Sequence, residues 1–162
     1  MSKRTVFLFV LLLLLAPVLC SAVMTKATTE QLTSSAATIA VADVVSTESR
    51  WGCEGSMIFT YVTLRVKDRL KGTEVEEIVV RVEGGEVDGI GLAVEDEPVF
   101  TEGEEVVVFL EASTEPEVMQ VRGHHQGKFT VIDGKVMEAG LPLADFTQKI
   151  KRLVATQKPQ EK

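Results

Sequence analysis

The sequence has few of the residue types that build disulfide scaffolds or nucleic-acid-binding surfaces. Its 162 residues include two cysteines, too few for a disulfide scaffold, together with one tryptophan and one tyrosine. Basic residues number 17 against 24 acidic ones, and the net charge of −7 provides no basic field to bind phosphate. Asparagine is absent, so the chain carries no N-glycosylation sequon. The composition predicts one globular domain and argues against nucleic acid as a partner.

Motifs that indicate catalysis or a bound cofactor are missing as well. The chain has no G-x-S-x-G elbow for a serine nucleophile, no H-E-x-x-H for zinc and no Gly-rich phosphate loop. His124 and His125 are its only histidines, and adjacent histidines in a strand would point to opposite faces. The sequence therefore predicts no catalytic residue, no metal site and no cofactor, and we expect that the protein is not an enzyme.

Residues 1–22 have the pattern of a secretory signal peptide. Two basic residues precede a leucine-rich apolar run, Pro17 interrupts this run, and small residues end the segment at Ala22. Cleavage there predicts a secreted or extracytoplasmic protein. If the segment were not cleaved, residues 5–23 would form a membrane anchor, and this anchor would be the only expected contact with a membrane.

Removal of the signal peptide makes the net charge more negative. Residues 23–162 contain 15 basic and 24 acidic residues, which gives a net charge of −9. Twelve of the acidic residues form an acidic block over residues 83–117, which contains no lysine or arginine. The block could be a solvated face, a cation site built from carboxylates, or a surface for a basic partner.

Alternation of apolar and polar side chains predicts a mainly β domain over residues 37–140. The clearest strand covers 57–66, and the continuous apolar run 106–110 predicts a strand buried on both faces. Asp133-Gly134 has the residues of a type I′ turn and predicts a hairpin. The glycine-rich segment 83–103 is predicted to be a loop.

Helical signals flank the strands. Residues 23–36 form a polar linker or a short helix, with Thr28 as N-cap and Gln31 completing a capping box. Apolar residues recur with helical spacing over 141–156, and residues 157–162 form a tail. The expected fold is a small antiparallel OB-like barrel of about five to six strands with a C-terminal amphipathic helix.

A series of strand and glycine-turn motifs resembles a known group of proteins. The motifs lie at residues 60–66, 70–72, 82–86, 98–106 and 126–129. Their order resembles exported bacterial and archaeal proteins of unassigned function, which are similar to the netrin-like fold of tissue inhibitors of metalloproteinases. The resemblance implies an OB-type barrel. It does not imply protease inhibition, because those inhibitors use a disulfide-held N-terminal cysteine, whereas Cys53 is the only cysteine in residues 23–162.

Eight residues in predicted loops are candidates for binding a partner. These candidates are Trp51, Glu86, Asp88, Glu95, Asp96, Glu97, His124 and His125. Trp51 could anchor a partner or cap one end of the barrel. Cys53 could pair between chains, stay free or be a half-buried thiol. We expect an exported non-catalytic domain that binds an unidentified protein, a surface component or a cation. The alternatives are a membrane-anchored structural component of the envelope and a metal-dependent hydrolase that uses the two histidines.

Overall fold

The computed structural model describes residues 26–53 and 55–157. The predicted signal peptide at 1–22, the alternative anchor at 5–23 and the tail beyond Gln157 lie outside the described residues. Neither α-helix of the described part is long and apolar enough to cross a membrane.

Strands dominate the described part of the chain. The helices are α1 (Thr29–Ser35) and α2 (Leu143–Thr156), and one turn of 3-10 helix, the histidine turn, covers His124–Gly127. The strands are β1 (Thr38–Trp51), β2 (Ile58–Lys71), β3 (Glu77–Glu83), β4 (Gly85–Val87), β5 (Ile90–Leu92), β6 (Glu105–Ala112), β7 (Val118–Val121), β8 (Lys128–Ile132), β9 (Lys135–Val136) and β10 (Leu141–Pro142).

Five of the strands form a ring, which confirms the prediction of an OB-like barrel. β1 pairs with β2, β2 with β3, β7 with β6, and β6 with β1, all antiparallel. A parallel contact between β3 and β7 completes the ring. Because this contact contains only the pairs Val79–Val118 and Val80–Met119, the barrel is only partly closed there. The sheet is therefore mixed, and the prediction of a purely antiparallel sheet was wrong.

The predicted number of strands was too low. The short strands β8, β9 and β10 extend the main sheet beyond the ring, to eight strands. The segment 83–103, predicted as a loop, contains the separate hairpin of β4 and β5. Glycines, which sheets disfavour, occupy positions 85 and 91 of these two strands. For this reason the sequence pattern did not indicate strands there.

Two separate cores stabilise the fold. The inner core fills the barrel with Ala42, Val44, Val62, Leu64, Ile78, Val80, Val82, Phe100, Val106, Val108, Leu110 and Val121. The outer core lies between the sheet and the helices and contains Leu32, Ala36, Ile39, Val41, Leu70, Val107, Phe109, Phe129, Val131, Val136, Phe146 and Ile150. β6 contributes to both cores by alternation, which confirms the prediction that it is buried on both faces.

Local signals at turns and helix ends are also confirmed. The Thr28 side chain accepts a hydrogen bond from the Gln31 backbone N–H, and the Gln31 side chain accepts one from Thr28. Asp133 and Gly134 have φ values of 50° and 71°, as a type I′ turn requires. The predicted C-terminal helix forms and buries Phe146 and Ile150.

Candidate functional site

The histidine turn lies in a segment that loops out of the sheet, where the strand pairing along one edge of β6 is interrupted. β7 and β8 pair with the same edge of β6, through Leu110–Val121 and Val108–Lys128, and the residues between these pairs loop outward. Gly127 ends the bulge, where a Cβ atom would clash with the carbonyl oxygen of Arg122. The local sequence therefore requires glycine at this position, and the bulge presents both histidines to solvent.

A loop distant in sequence closes against the two histidines. The Nδ1 atom of His124 lies 2.6 Å from Oε1 of Glu97. The backbone N–H of His125 donates to the carbonyl oxygen of Asp96 over 2.9 Å, and its Nδ1 lies 3.7 Å from Oδ1 of Asp96. Asp96 and His124 both have positive φ values, 67° and 55°. Left-handed backbone is uncommon outside glycine and often accompanies functional contacts.

Other segments hold this contact in place. The backbone N–H of Ala27 donates to Oε1 of Gln126 over 2.6 Å and joins the start of α1 to the histidine turn. Lys128 forms an ion pair of 2.8 Å with Glu104 and donates to the carbonyl oxygen of Val99 over 2.7 Å. The side chains of this ion pair are only 11% and 17% exposed, so the pair holds the loop before β6 against β8.

Two cavities adjoin the histidine turn. One, of about 630 Å³, is lined by Ala27, Gln31, Leu32, Ser34, Ser35, Arg81, Glu83, Glu97, Glu111, Gln120, Val121, Arg122, Gly123 and His124. The other, of about 840 Å³, is lined by Lys26, Ala27, Thr28, Thr29, Glu30, Asp96, His125, Gln126, Lys128, Phe129, Glu138 and Ala139. Each histidine thus lines a different cavity, and Ala27 lines both.

The cavities offer hydrogen-bonding groups of both kinds. Amide, hydroxyl, imidazole, guanidinium and carboxylate groups line the smaller cavity together with the apolar side chains of Leu32 and Val121, and the larger cavity includes the apolar surface of Phe129 and Ala139. The described residues contain no group of three or more histidine, cysteine, aspartate or glutamate side chains that could hold a metal ion. The arrangement is therefore suited to recognition of a polar ligand by hydrogen bonds.

The acidic block does not form one uniform face. Four of its glutamates form ion pairs with basic residues outside the block: Glu104 with Lys128, Glu105 with Lys67, Glu111 with Arg122, and Glu115 with Arg50 and Arg81. The hydrogen bond that Lys67 donates to the Glu105 carboxylate raises the pKa of Lys67 above its ordinary value. In the described part of the chain, Glu83, Glu86, Asp88, Glu95, Glu102 and Glu117 have no such partner. Much of the unpaired charge therefore lies around the β4–β5 hairpin.

The structure divides the eight predicted binding residues into two groups. Asp96, Glu97, His124 and His125 meet at the histidine turn, and Glu95 directly precedes them in the chain. The other three lie on different elements: Glu86 in β4, Asp88 in the turn after it, and Trp51 at the end of β1. Trp51 is 39% exposed, so it does not form a buried cap on the barrel.

Sequence reasoning missed several residues of the site. Gln126, Lys128 and Ala27 contribute hydrogen bonds or cavity walls, but no local pattern distinguishes them. The Gln126-Gly127 pair at the predicted turn was the only available signal. Cys53 is a free thiol in the described part of the chain, which is one of the alternatives that the sequence left open, and it is exposed and not half-buried.

Compared with known proteins, the chain matches no protein-family model and no curated protein. The resemblance to the netrin-like barrel therefore stays a prediction.

Proposed function

We propose that the protein is an exported, non-catalytic binding domain whose contact surface is the histidine turn together with Glu95, Asp96 and Glu97. The observation that carries the proposal is the convergence of two cavities on this contact, one beside each histidine. Export is inferred from the signal-peptide pattern of residues 1–22. The partner is a protein or another component of the cell surface that presents polar groups to both cavities.

The pairing of charged groups supports binding rather than catalysis. His124 is paired with Glu97, Arg122 with Glu111, and Lys128 with Glu104. Catalysis by nucleophilic attack requires a nucleophile within hydrogen-bond reach of a base, with room for a substrate at that point. Among the described residues, no hydroxyl or thiol is hydrogen-bonded to the ring of either histidine, so these paired side chains are better suited to orienting hydrogen bonds toward a bound partner.

Capture from envelope extracts of the source cells tests the proposal. We expect the full chain to retain a partner, and a His124→Ala/Glu97→Gln variant to retain at least about tenfold less, because the loss of even one hydrogen bond to a charged group costs about 1.5–3 kcal/mol. Glu86→Gln/Asp88→Asn is the matched control, since it alters acidic-block residues of the hairpin away from the turn. Equal recovery of one partner by all three proteins would contradict the proposal.

Metal analysis of the same preparations tests the cation-dependent alternative. We expect the purified chain to contain no stoichiometric metal. A metal present at one equivalent and lost in a His124→Ala/His125→Ala variant would favour the metal-dependent hydrolase instead.

A further inference from the structure

The second half of β1 has an open edge. β6 pairs with β1 only from Thr38 to Asp43, whereas β2 pairs with β1 as far as Trp51. An irregularity in the register between Val44 and Ser46 separates the two halves. In the described part of the chain, no strand is hydrogen-bonded to the other edge of β1 beyond this point, and β4 packs against β1 where Gly85 lies beside the Ser49 side chain. An unpaired edge of this kind is a template for another strand.

The direction of the free backbone groups can be read from one contact. The backbone N–H of Thr47 donates to Oε1 of Glu102 over 2.9 Å, so it points away from β2. Backbone groups alternate in direction along an antiparallel strand. The N–H groups of Ser49 and Trp51 therefore point to the same open edge as that of Thr47.

We propose that a second copy of this chain binds this edge, antiparallel and with Ser49 of one copy opposite Ser49 of the other. This register places Thr47 opposite Trp51 of the other copy, twice by symmetry. The backbone N–H and C=O groups that point to the open edge then face those of the other copy and form about six hydrogen bonds. The pairing is isologous, as the common C2 dimers require.

Charge complementarity selects the same register. With Ser49 on the symmetry axis, Glu48 of each copy lies opposite Arg50 of the other. Arg50 is 57% exposed, its guanidinium lies 3.6 Å above the Tyr61 ring, and its contact with Glu115 is a long 3.5 Å. Glu48 has no ion-pair partner among the described residues. Two cross-strand ion pairs therefore become available that the single chain does not make.

The Glu102 side chain covers part of the open edge of β1. Its carboxylate occupies the Thr47 N–H and also lies 3.4 Å from the Thr47 hydroxyl, so it must be displaced before a strand can add. A charged side chain over an open edge is a common device against uncontrolled pairing. With an interface of only about five residues from each copy, the dimer is weak and reversible.

Sedimentation equilibrium of the purified full chain, over a range of concentrations, tests the proposal. We expect a reversible dimer that Glu48→Lys weakens about tenfold, because both cross-strand pairs become repulsive. Thr47→Pro removes an outward N–H at a position where edge strands tolerate proline, and it weakens the dimer similarly. Glu102→Ala strengthens it.

Glu76→Lys is the matched control, since it makes the same charge change outside β1 and leaves the dimer unchanged. Circular dichroism verifies that each variant is folded. If Thr47→Pro does not fold, the test of the dimer depends on Glu48→Lys. A dimer that Glu48→Lys does not weaken would overturn the proposal. So would a chain that stays monomeric up to about 1 mM both as wild type and as Glu102→Ala.

Discussion

The two cores of the protein differ in composition and in what they connect. The outer core contains three phenylalanines in series, with ring centroids 5.5 Å apart between Phe109 and Phe129 and 5.1 Å apart between Phe129 and Phe146. The inner core is mainly aliphatic, and Phe100 is its single aromatic residue. The inner core joins barrel strands and the loop before β6, whereas the outer core joins the sheet to both helices.

This difference assigns separate tasks to the two cores. Leu32 and Phe129 belong to the outer core, and each also lines one of the cavities beside the histidine turn. Val121 of the inner core lines the smaller cavity as well, so the candidate site is built mainly, but not only, on the outer core. Damage to the outer core should disturb the site, whereas damage to the inner core should lower stability without a selective effect on the site.

The largest expected effect comes from neighbouring residues of β6 that face opposite cores. Phe109→Ala should lower the free energy of unfolding by about 3–5 kcal/mol and Leu110→Ala by about 2–5 kcal/mol, because both side chains are fully buried. Chemical denaturation measures both values. Hydrogen exchange then separates them, since only Phe109→Ala should selectively expose α1 and the histidine turn.

Phe109→Leu serves as a milder variant if Phe109→Ala does not fold. It should show the same selective loss of exchange protection with a smaller loss of stability. Equal loss of protection at the histidine turn in the Phe109 and Leu110 variants would show that the two cores act as one unit.

A smaller effect is expected from two glycines that differ in their surroundings. Gly127→Ala should destabilise the protein by about 1–3 kcal/mol and displace the histidine turn, because the new methyl group would clash with the Arg122 carbonyl oxygen. Gly91→Ala is the matched control, since no atom lies within 4 Å of its would-be Cβ. Its effect should stay within about 0.5 kcal/mol. Thermal unfolding measures the loss of stability, and the nuclear magnetic resonance shifts of the two histidines measure the displacement of the turn. Equal results for both variants would contradict the prediction.

Features determined by short-range chemistry were predictable from the sequence. The capping box at Thr28, the turn at Asp133-Gly134 and the burial of β6 each depend on a few neighbouring residues, and each is confirmed. The C-terminal helix α2 also follows from the helical spacing of its apolar residues. Local patterns likewise indicated that His124 and His125 lie outside the strands, in a predicted loop.

Features determined by long-range pairing were not predictable. The contact of His124 with Glu97 joins segments 27 residues apart, and nothing in either segment identifies the other. The acidic block is a clearer case, because charge that is continuous in sequence is partly neutralised in the fold. Lys67 reaches Glu105 from β2, and Arg122 reaches Glu111 from beyond β7. Strand register sets these pairs, and single-sequence patterns do not specify register.

The smallest expected effect lies at the solvent rim of the outer core, where Glu30 of α1 meets Lys149 of α2 over 2.9 Å. The hydrogen bond from Lys149 lowers the pKa of Glu30 below its ordinary value of 4.5. A depressed carboxyl pKa contributes stability above the unfolded pKa, and that stability is lost as the pH falls through the folded pKa. Lys149→Gln should therefore cost at most about 0.5 kcal/mol at neutral pH and nothing near pH 2, because the pair is exposed. Lys135→Gln, which removes the same charge at a position without an ion pair in the described residues, is the control. If the Lys149 effect at neutral pH matched the control, the helices would be joined at this rim by apolar packing alone.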